Sequence, residues 1–184
     1  MEEVELKLPA ENADLEVRLR RVGFERRGRY RQVDRYYAVP HRDLAVTDEA
    51  LRLRTVEDLD EGAVDHRVTY KGPRVGGAGA KARREITTAV ESVSAAEALL
   101  EAIDCEVAGE VRKVRERYAR GDATVALDEV DGLGSFVELE RVVPAADVST
   151  ARTEIESLAA ALGLDGAVPI ERTYLELVLE DEPQ

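Results

Sequence analysis

The chain predicts a β-dominated α+β fold, a closed antiparallel β-barrel with a charged interior and helices packed on its outside. Three observations point there. Most of the sequence alternates with period 2 in runs rich in Val, Leu, Tyr and Thr, broken by Gly, Pro and Asp clusters, which is the signature of strands. Several of those runs carry charge on one face and aliphatic residues on the other. Periodicity alone leaves the direction of the charged faces open, but three helical stretches bear apolar stripes that need a hydrophobic surface. The outer wall of a barrel with a charged lumen supplies one, so the charges are expected inside.

Taken in order, the first strand spans residues 2–8 and contains Glu3-Val4-Glu5-Leu6-Lys7. Side chains alternate along a strand, so Glu3, Glu5 and Lys7 share a face, with Val4 and Leu6 on the other. A helix over 11–22 follows, with Leu15, Leu19 and Val22 on one side and Gly23 as its stop. Strands over 28–38 and 44–55 come next, the second pairing Arg52 with Arg54, and the strand 64–71 ends in Thr69-Tyr70-Lys71. Residues 72–81 are glycine-rich but lack the Gly-Lys-Ser/Thr ending of a phosphate loop, and read as a flexible hairpin loop. A strand over 82–90 places Arg83 with Glu85. The second helix, 94–103, opens with Ser94 and Glu97 at capping-box spacing. Strands over 107–118, 122–130 and 134–142 bring Lys113 with Arg115, then Asp128, then Glu138 with Glu140. A helix over 149–162, stopped by Gly163, and a strand over 170–179 complete the reading.

The length suits one domain, 1–184, large enough to bury about two thirds of its unfolded surface. A lone Cys105 cannot form an internal disulfide, and no apolar N-terminal stretch resembles a signal or membrane span, so a cytoplasmic location is expected. With 39 acidic against 26 basic residues and a net charge of −13, the chain is a poor match for duplex nucleic acid. Neither nucleic acid nor membrane is expected as a partner. Only four lysines stand against 22 arginines, and Lys7, Lys71 and Lys113 all lie in the charged strands.

A lumen holding Glu3, Glu5, Glu85, Asp128, Glu138 and Glu140 with Lys7, Arg52, Arg54, Lys71, Arg83, Lys113 and Arg115 is too costly to be mere structure. Carboxylate oxygens select Mg²⁺ or Mn²⁺, and Arg and Lys clamp phosphate oxygens. The guest this chemistry suits is a metal-bound polyphosphate. Tyr36, Tyr37 and Tyr174 serve either as wall material or, at a tunnel mouth, as groups that stack on a base or bond a phosphate. His41 and His66 have no partners for a triad or zinc site, and Cys105 reads as a small buried hydrophobe.

These blocks resemble the CYTH superfamily, the triphosphate tunnel metalloenzymes, which include class IV (CyaB-type) adenylyl cyclases, thiamine triphosphatases and inorganic triphosphatases. Glu3-Val4-Glu5-Leu6-Lys7 matches the family's N-terminal ExExK signature. Asp34-Arg35-Tyr36-Tyr37, Leu51-Arg52-Leu53-Arg54, Thr69-Tyr70-Lys71-Gly72-Pro73, Arg83 with Glu85, Lys113 with Arg115, and the run from Leu127 to Glu140 follow in the family's order. The last block most resembles the CyaB branch. The resemblance implies an eight-stranded antiparallel tunnel, metal on Glu3, Glu5, Glu138 and Glu140 with Asp128 nearby, and phosphate on the basic residues. One departure stands out: Thr87 occupies a position where many relatives carry an acidic residue.

The expected reaction is then that of a class IV adenylyl cyclase, ATP to cyclic AMP and pyrophosphate, with Lys71 as the candidate general base. A triphosphatase acting on inorganic, thiamine or nucleoside triphosphate is the alternative, and a non-catalytic polyphosphate or nucleotide sensor the third reading. Retention of the carboxylates weighs against the sensor, because binding phosphate alone needs only cations. Both monomer and homodimer are open at this stage.

Overall fold

In the computed structural model, which describes residues 2–10, 14–73 and 81–181, the alternating runs become strands. They are β1 (Glu2–Pro9), β2 (Glu25–Ala38), β3 (Ala50–Asp58), β4 (Val64–Lys71), β5 (Lys81–Arg83), β6 (Glu85–Ala89), β7 (Glu106–Arg120), β8 (Ala123–Val130) and β9 (Gly134–Val143). Neighbours pair antiparallel in the order β5-β1-β9-β8-β7-β2-β3-β4-β6. Only Arg84 separates β5 from β6, and β5 pairs with β1 while β6 pairs with β4. As one strand bent at Arg84, they join the two ends of the sheet, and the ring of eight strands closes.

The aliphatic faces turn outward, as the helical stripes required. Val4, Leu6 and Leu8 of β1, Val125 and Leu127 of β8 and Val137 and Leu139 of β9 form one cluster with helices α1 (Leu15–Arg21) and α3 (Val148–Ala161). Leu15 and Leu19 of α1 and Ala151, Ile155, Leu158 and Ala159 of α3 complete it. Each buried Val, Leu or Ile side chain there contributes roughly 1.5–3 kcal/mol, so the main core is this outer layer, not the barrel interior. Helix α2 (Val93–Ala102) packs Ala96 and Leu100 against Tyr37, Leu53 and Cys105. No helix among the described residues is long and apolar enough to cross a membrane.

Three expectations are corrected. The segment 170–179 is not a strand: helix α4 (Tyr174–Asp181) occupies most of it. Leu175, Leu177 and Leu179 do alternate, but Thr173 and Glu176 form a reciprocal capping box. The Glu176 N–H donates to Thr173 Oγ1 at 3.2 Å and the Thr173 N–H to Glu176 Oε2 at 2.5 Å. A local cap at the right spacing outweighed a short alternation. In α2 the cap is Ser92, whose Oγ accepts from the Ala95 N–H at 3.2 Å, while Glu97 pairs with Arg35 instead of closing a box with Ser94. The strand expected over 44–55 begins only at Ala50, because the carboxylate of Asp43 accepts the N–H groups of Ala45 and Val46 and turns the chain. Helix α1 begins at Leu15; residues 11–13 of the expected helix, and 74–80 of the expected hairpin loop, lie outside the described residues.

Candidate functional site

Cross-strand register carries the charged positions round the ring. Glu5 lies opposite Glu140 and Lys7 opposite Glu138 between β1 and β9. Glu3 faces Arg83 and Lys71 faces Glu85 on either side of the Arg84 bend. Asp34 faces Arg54, and Arg115 faces Asp128. The inward side chains enclose a cavity of about 460 Å³, a normal size for a small-molecule site. Its lining includes Glu3, Glu5, Lys7, Tyr36, Arg52, Arg54, Lys71, Arg83, Glu85, Lys113, Arg115, Glu138, Glu140 and Tyr174. Asp128 stands behind that lining, fully buried, and Tyr37 faces outward into the α2 cluster as wall material.

Asp128 organises one group of cations. It accepts from Arg115 Nε at 2.7 Å and Nη2 at 2.5 Å, from Lys113 Nζ at 3.1 Å and from the Tyr174 hydroxyl at 3.0 Å. Burial works against its charge, but Arg115 and Lys113 outweigh that and hold the carboxyl below its ordinary value. Arg115 also reaches Glu138, and Lys7 sits 3.5 Å from Glu138 and 3.7 Å from Glu5. Burial likewise opposes the charge of Glu138, yet Arg115, Lys113 and Lys7 keep its carboxyl well below the usual range. Lys113 goes the other way: burial and the neighbouring Arg115 push it down to about 8, against the pull of Asp128 and Glu138. The ring of Tyr174 lies beneath both lysines, 4.1 Å from Lys7 Nζ and 4.7 Å from Lys113 Nζ, and meets Phe136 edge-on at 5.1 Å.

A second group is built on Asp34, 2% exposed, which takes Arg54 Nε at 2.5 Å and Nη2 at 2.6 Å and lies 3.6 Å from Arg52 Nη1. Burial is overcome there by Arg54 and Arg52, and the Asp34 carboxyl is lowered. Among the described residues, the buried Arg52 Nε has no hydrogen-bond partner. Sequence reasoning assigned Asp34 no role, although Gln32, Asp34 and Tyr36 share a face at i, i+2 and i+4 and all three line the cavity or its wall. Thr87, the departure noted above, also lines the cavity, and its hydroxyl is 3.0 Å from that of Thr69.

The third group is short of positive charge. Lys71 lies 3.6 Å from Glu3 and pairs with Glu85. Burial pushes the Glu3 carboxyl up to about 8 despite Lys71, with Glu140, Glu85 and Glu5 adding to the rise. Glu140 is raised as well, by burial first, then by Glu5 and Glu138 against Arg115. Among the described residues no three His, Cys, Asp or Glu side chains form a preassembled metal cage. The donor set nevertheless fits a hard divalent cation: carboxylates of adjacent strands crowd one end of the cavity, and burial with mutual repulsion raises both Glu3 and Glu140 above the usual carboxylate value.

The sequence comparisons agree with this geometry. A family model described as "CYTH domain" matches residues 1–174. A Methanocaldococcus jannaschii protein named "Putative adenylate cyclase MJ0240" is 32% identical over 96% of this chain and 98% of its own. Among solved structures, the PH1819 protein of Pyrococcus horikoshii OT3 is 34% identical, covers 98% of this chain and 99% of its own, and superposes with a TM-score of 0.84. The Hippeastrum protein HpAC1, described as having a dominant triphosphatase activity, shares the fold at 17% identity and a TM-score of 0.72, over 100% of this chain and 97% of its own. The match to the family model over residues 1–174, carried on a closed ring of alternating strands with acids and bases turned into its bore, shows that the chain belongs to the CYTH-domain family.

Proposed function

We propose that the chain is a metal-dependent, triphosphate-processing enzyme, and that its reaction is that of a class IV adenylyl cyclase. The observation that carries this reading is the gathering of Lys7, Arg52, Arg54, Lys71, Arg83, Lys113 and Arg115 with Glu3, Glu5, Glu138 and Glu140 in one enclosed cavity. The cyclase name of the Methanocaldococcus relative favours that chemistry over others of the family.

Asp128 and Asp34 fix Arg115, Lys113, Arg54 and Arg52 before any guest arrives, so the cations meet the phosphate oxygens without reorganising. In the proposed reaction the ribose 3′-oxygen attacks the α-phosphorus, the bond to the β-phosphate oxygen breaks, and pyrophosphate leaves into the Arg and Lys groups. Lys71 Nζ is the candidate base for the hydroxyl proton; paired as an ammonium with Glu3 and Glu85, it first gives its own proton to solvent and then takes the one from the hydroxyl. Mg²⁺ or Mn²⁺ on Glu3, Glu5, Glu138 and Glu140 would supply further neutralisation of phosphate charge when bound.

The second reading is a triphosphatase, in which water attacks the terminal phosphorus. It is favoured by a cavity whose cations grip a phosphate chain without regard to what the chain carries. Product analysis separates the two. Incubation with ATP and Mg²⁺ or Mn²⁺ is expected to give cyclic AMP and pyrophosphate in equal amounts, with turnover abolished by EDTA and restored by the metal. Orthophosphate as the main product, with tripolyphosphate cleaved faster than ATP, would select the triphosphatase. Full activity in excess chelator would reject the metal.

A further inference from the structure

Helix α2 has two apolar faces. On one, Ala96 and Leu100 lie on the barrel against Tyr37, Leu53 and Cys105, with Val93 at their edge. The other carries Ala95, Ala98, Leu99, Ala102 and Ile103, the i, i+3, i+4, i+7, i+8 spacing of a second stripe, and all five are exposed. Leu99 is 65% and Ile103 56% exposed. Val107, also exposed, carries the patch onto β7, where it stands opposite Tyr37 in the register with β2. The polar residues of the helix, Ser94, Glu97 and Glu101, share one narrow side, and Glu97 is engaged with Arg35. A helix that is apolar on nearly every side is normally buried on every side. The barrel covers only one of them.

The charges of the helix point to what covers the other. Helix α2 has no acid in its first turn and no base in its last. Glu101 and Asp104 instead stand at its C-terminal end, where its own dipole disfavours them, against the single Glu91 before the Ser92 cap. An antiparallel copy of the same helix relieves that conflict, because each C-terminal end then lies beside the N-terminal N–H groups of the other. The helical repeat sets the pairing. With a two-fold axis near Ala98, Glu101 of one copy comes beside Ser94 of the other, and Ala95 beside Ala102. Alanines at the contact let the two axes approach to about 8 Å, and Leu99 and Ile103 close over one edge. The contact is thus uncharged at its centre, which a chain of net charge −13 needs in order to meet its own copy.

We propose that the outer face of α2 is an isologous interface on which a second copy of this chain docks, with the two α2 helices antiparallel.

Sedimentation of the full chain across a dilution series tests the proposal. Wild type is expected to sediment as a dimer that dissociates on dilution. Ala98→Glu sets two carboxylates against each other at the axis, and Leu99→Lys puts a charge into the apolar edge; each is expected to weaken association by about tenfold or more. Both side chains are exposed in the single chain, so melting curves of the diluted variants verify that they are folded, and either variant suffices if the other is not. The antiparallel pairing has its own readout. Ala98→Cys is expected to give a disulfide-linked dimer under mild oxidation, while wild type, whose lone Cys105 is buried, gives none. Wild type that sediments as a monomer at every concentration would overturn the proposal and leave this face to a different protein. Association that persists undiminished in the folded variants would place the dimer contact elsewhere on the chain. A dimer in which Ala98→Cys fails to cross-link would reject the antiparallel pairing.

Discussion

Glu3 illustrates what enclosure does to a single side chain. Its carboxyl ionises near 4.5 in an unfolded chain but is pushed up to about 8 in the barrel, by burial first and then by Glu140, Glu85 and Glu5, with Lys71 opposing. Between those values the folded state holds a proton that the unfolded state has released, so stability falls as pH rises through the window. Lys113, lowered from 10.5 to about 8, acts in a different range: its contribution is present above 10.5 and is lost as pH falls to about 8. The ligand-free protein should therefore lose melting temperature from pH 4.5 to about 8, and Glu3→Gln should flatten that slope. Calorimetry across the range checks it, and an unchanged slope in the variant would mean that Glu3 is not confined as described. The sequence pattern exposed Glu3 readily, through its alternation with Glu5 and Lys7. Asp34 was harder to see, because a lone acid between Val33 and Arg35 gains its meaning only from Arg52 and Arg54, which reach it from the neighbouring strand.

At the scale of elements, α4 matters most to the site. It delivers Tyr174 beneath Lys7 and Lys113, and its Leu175 packs so closely on β7 that a Cβ added at Gly109 would lie 2.6 Å from Leu175 Cδ1. The Thr173–Glu176 box holds the first turn in which Tyr174 sits. Thr173→Ala should cost about 1 kcal/mol of stability and slow turnover by loosening Tyr174, whereas Thr173→Ser, which keeps the cap, should restore both. Denaturant melts and rate measurements on the two variants decide it. Equal turnover in Thr173→Ala and wild type would show that α4 does not position the ring. The helix escaped the period-2 reading because Leu175, Leu177 and Leu179 imitate a strand. The corrective signal, Thr173 three residues before Glu176, was present but local.

At the scale of the molecule, the barrel places acids and bases in a bore that is only partly self-neutralised. A guest that carries the missing charges should therefore stabilise the whole ring. With Mg²⁺ present, tripolyphosphate at about 100 times its dissociation constant should add about 2.7 kcal/mol, read as an upward shift in melting temperature. A phosphate-independent melting temperature would mean that the bore does not bind such a ligand.

The sequence by itself determined which residues alternate and hence which share a face, because the two-residue repeat of a strand is a local property of the backbone. The direction of those faces was inferable from the apolar stripes of α1 and α3, which could be buried only against the outside of the barrel. Tertiary structure alone decided the rest. Closure depends on β5 and β6 reaching opposite edges of the sheet from either side of Arg84, a pairing between distant segments that no local pattern encodes. The same register places Asp128 behind Arg115 and Lys113 while Glu140 faces the bore opposite Glu5. Two carboxylates that look alike in the chain thus meet different neighbours: cations satisfy one, and the other remains crowded by like charge.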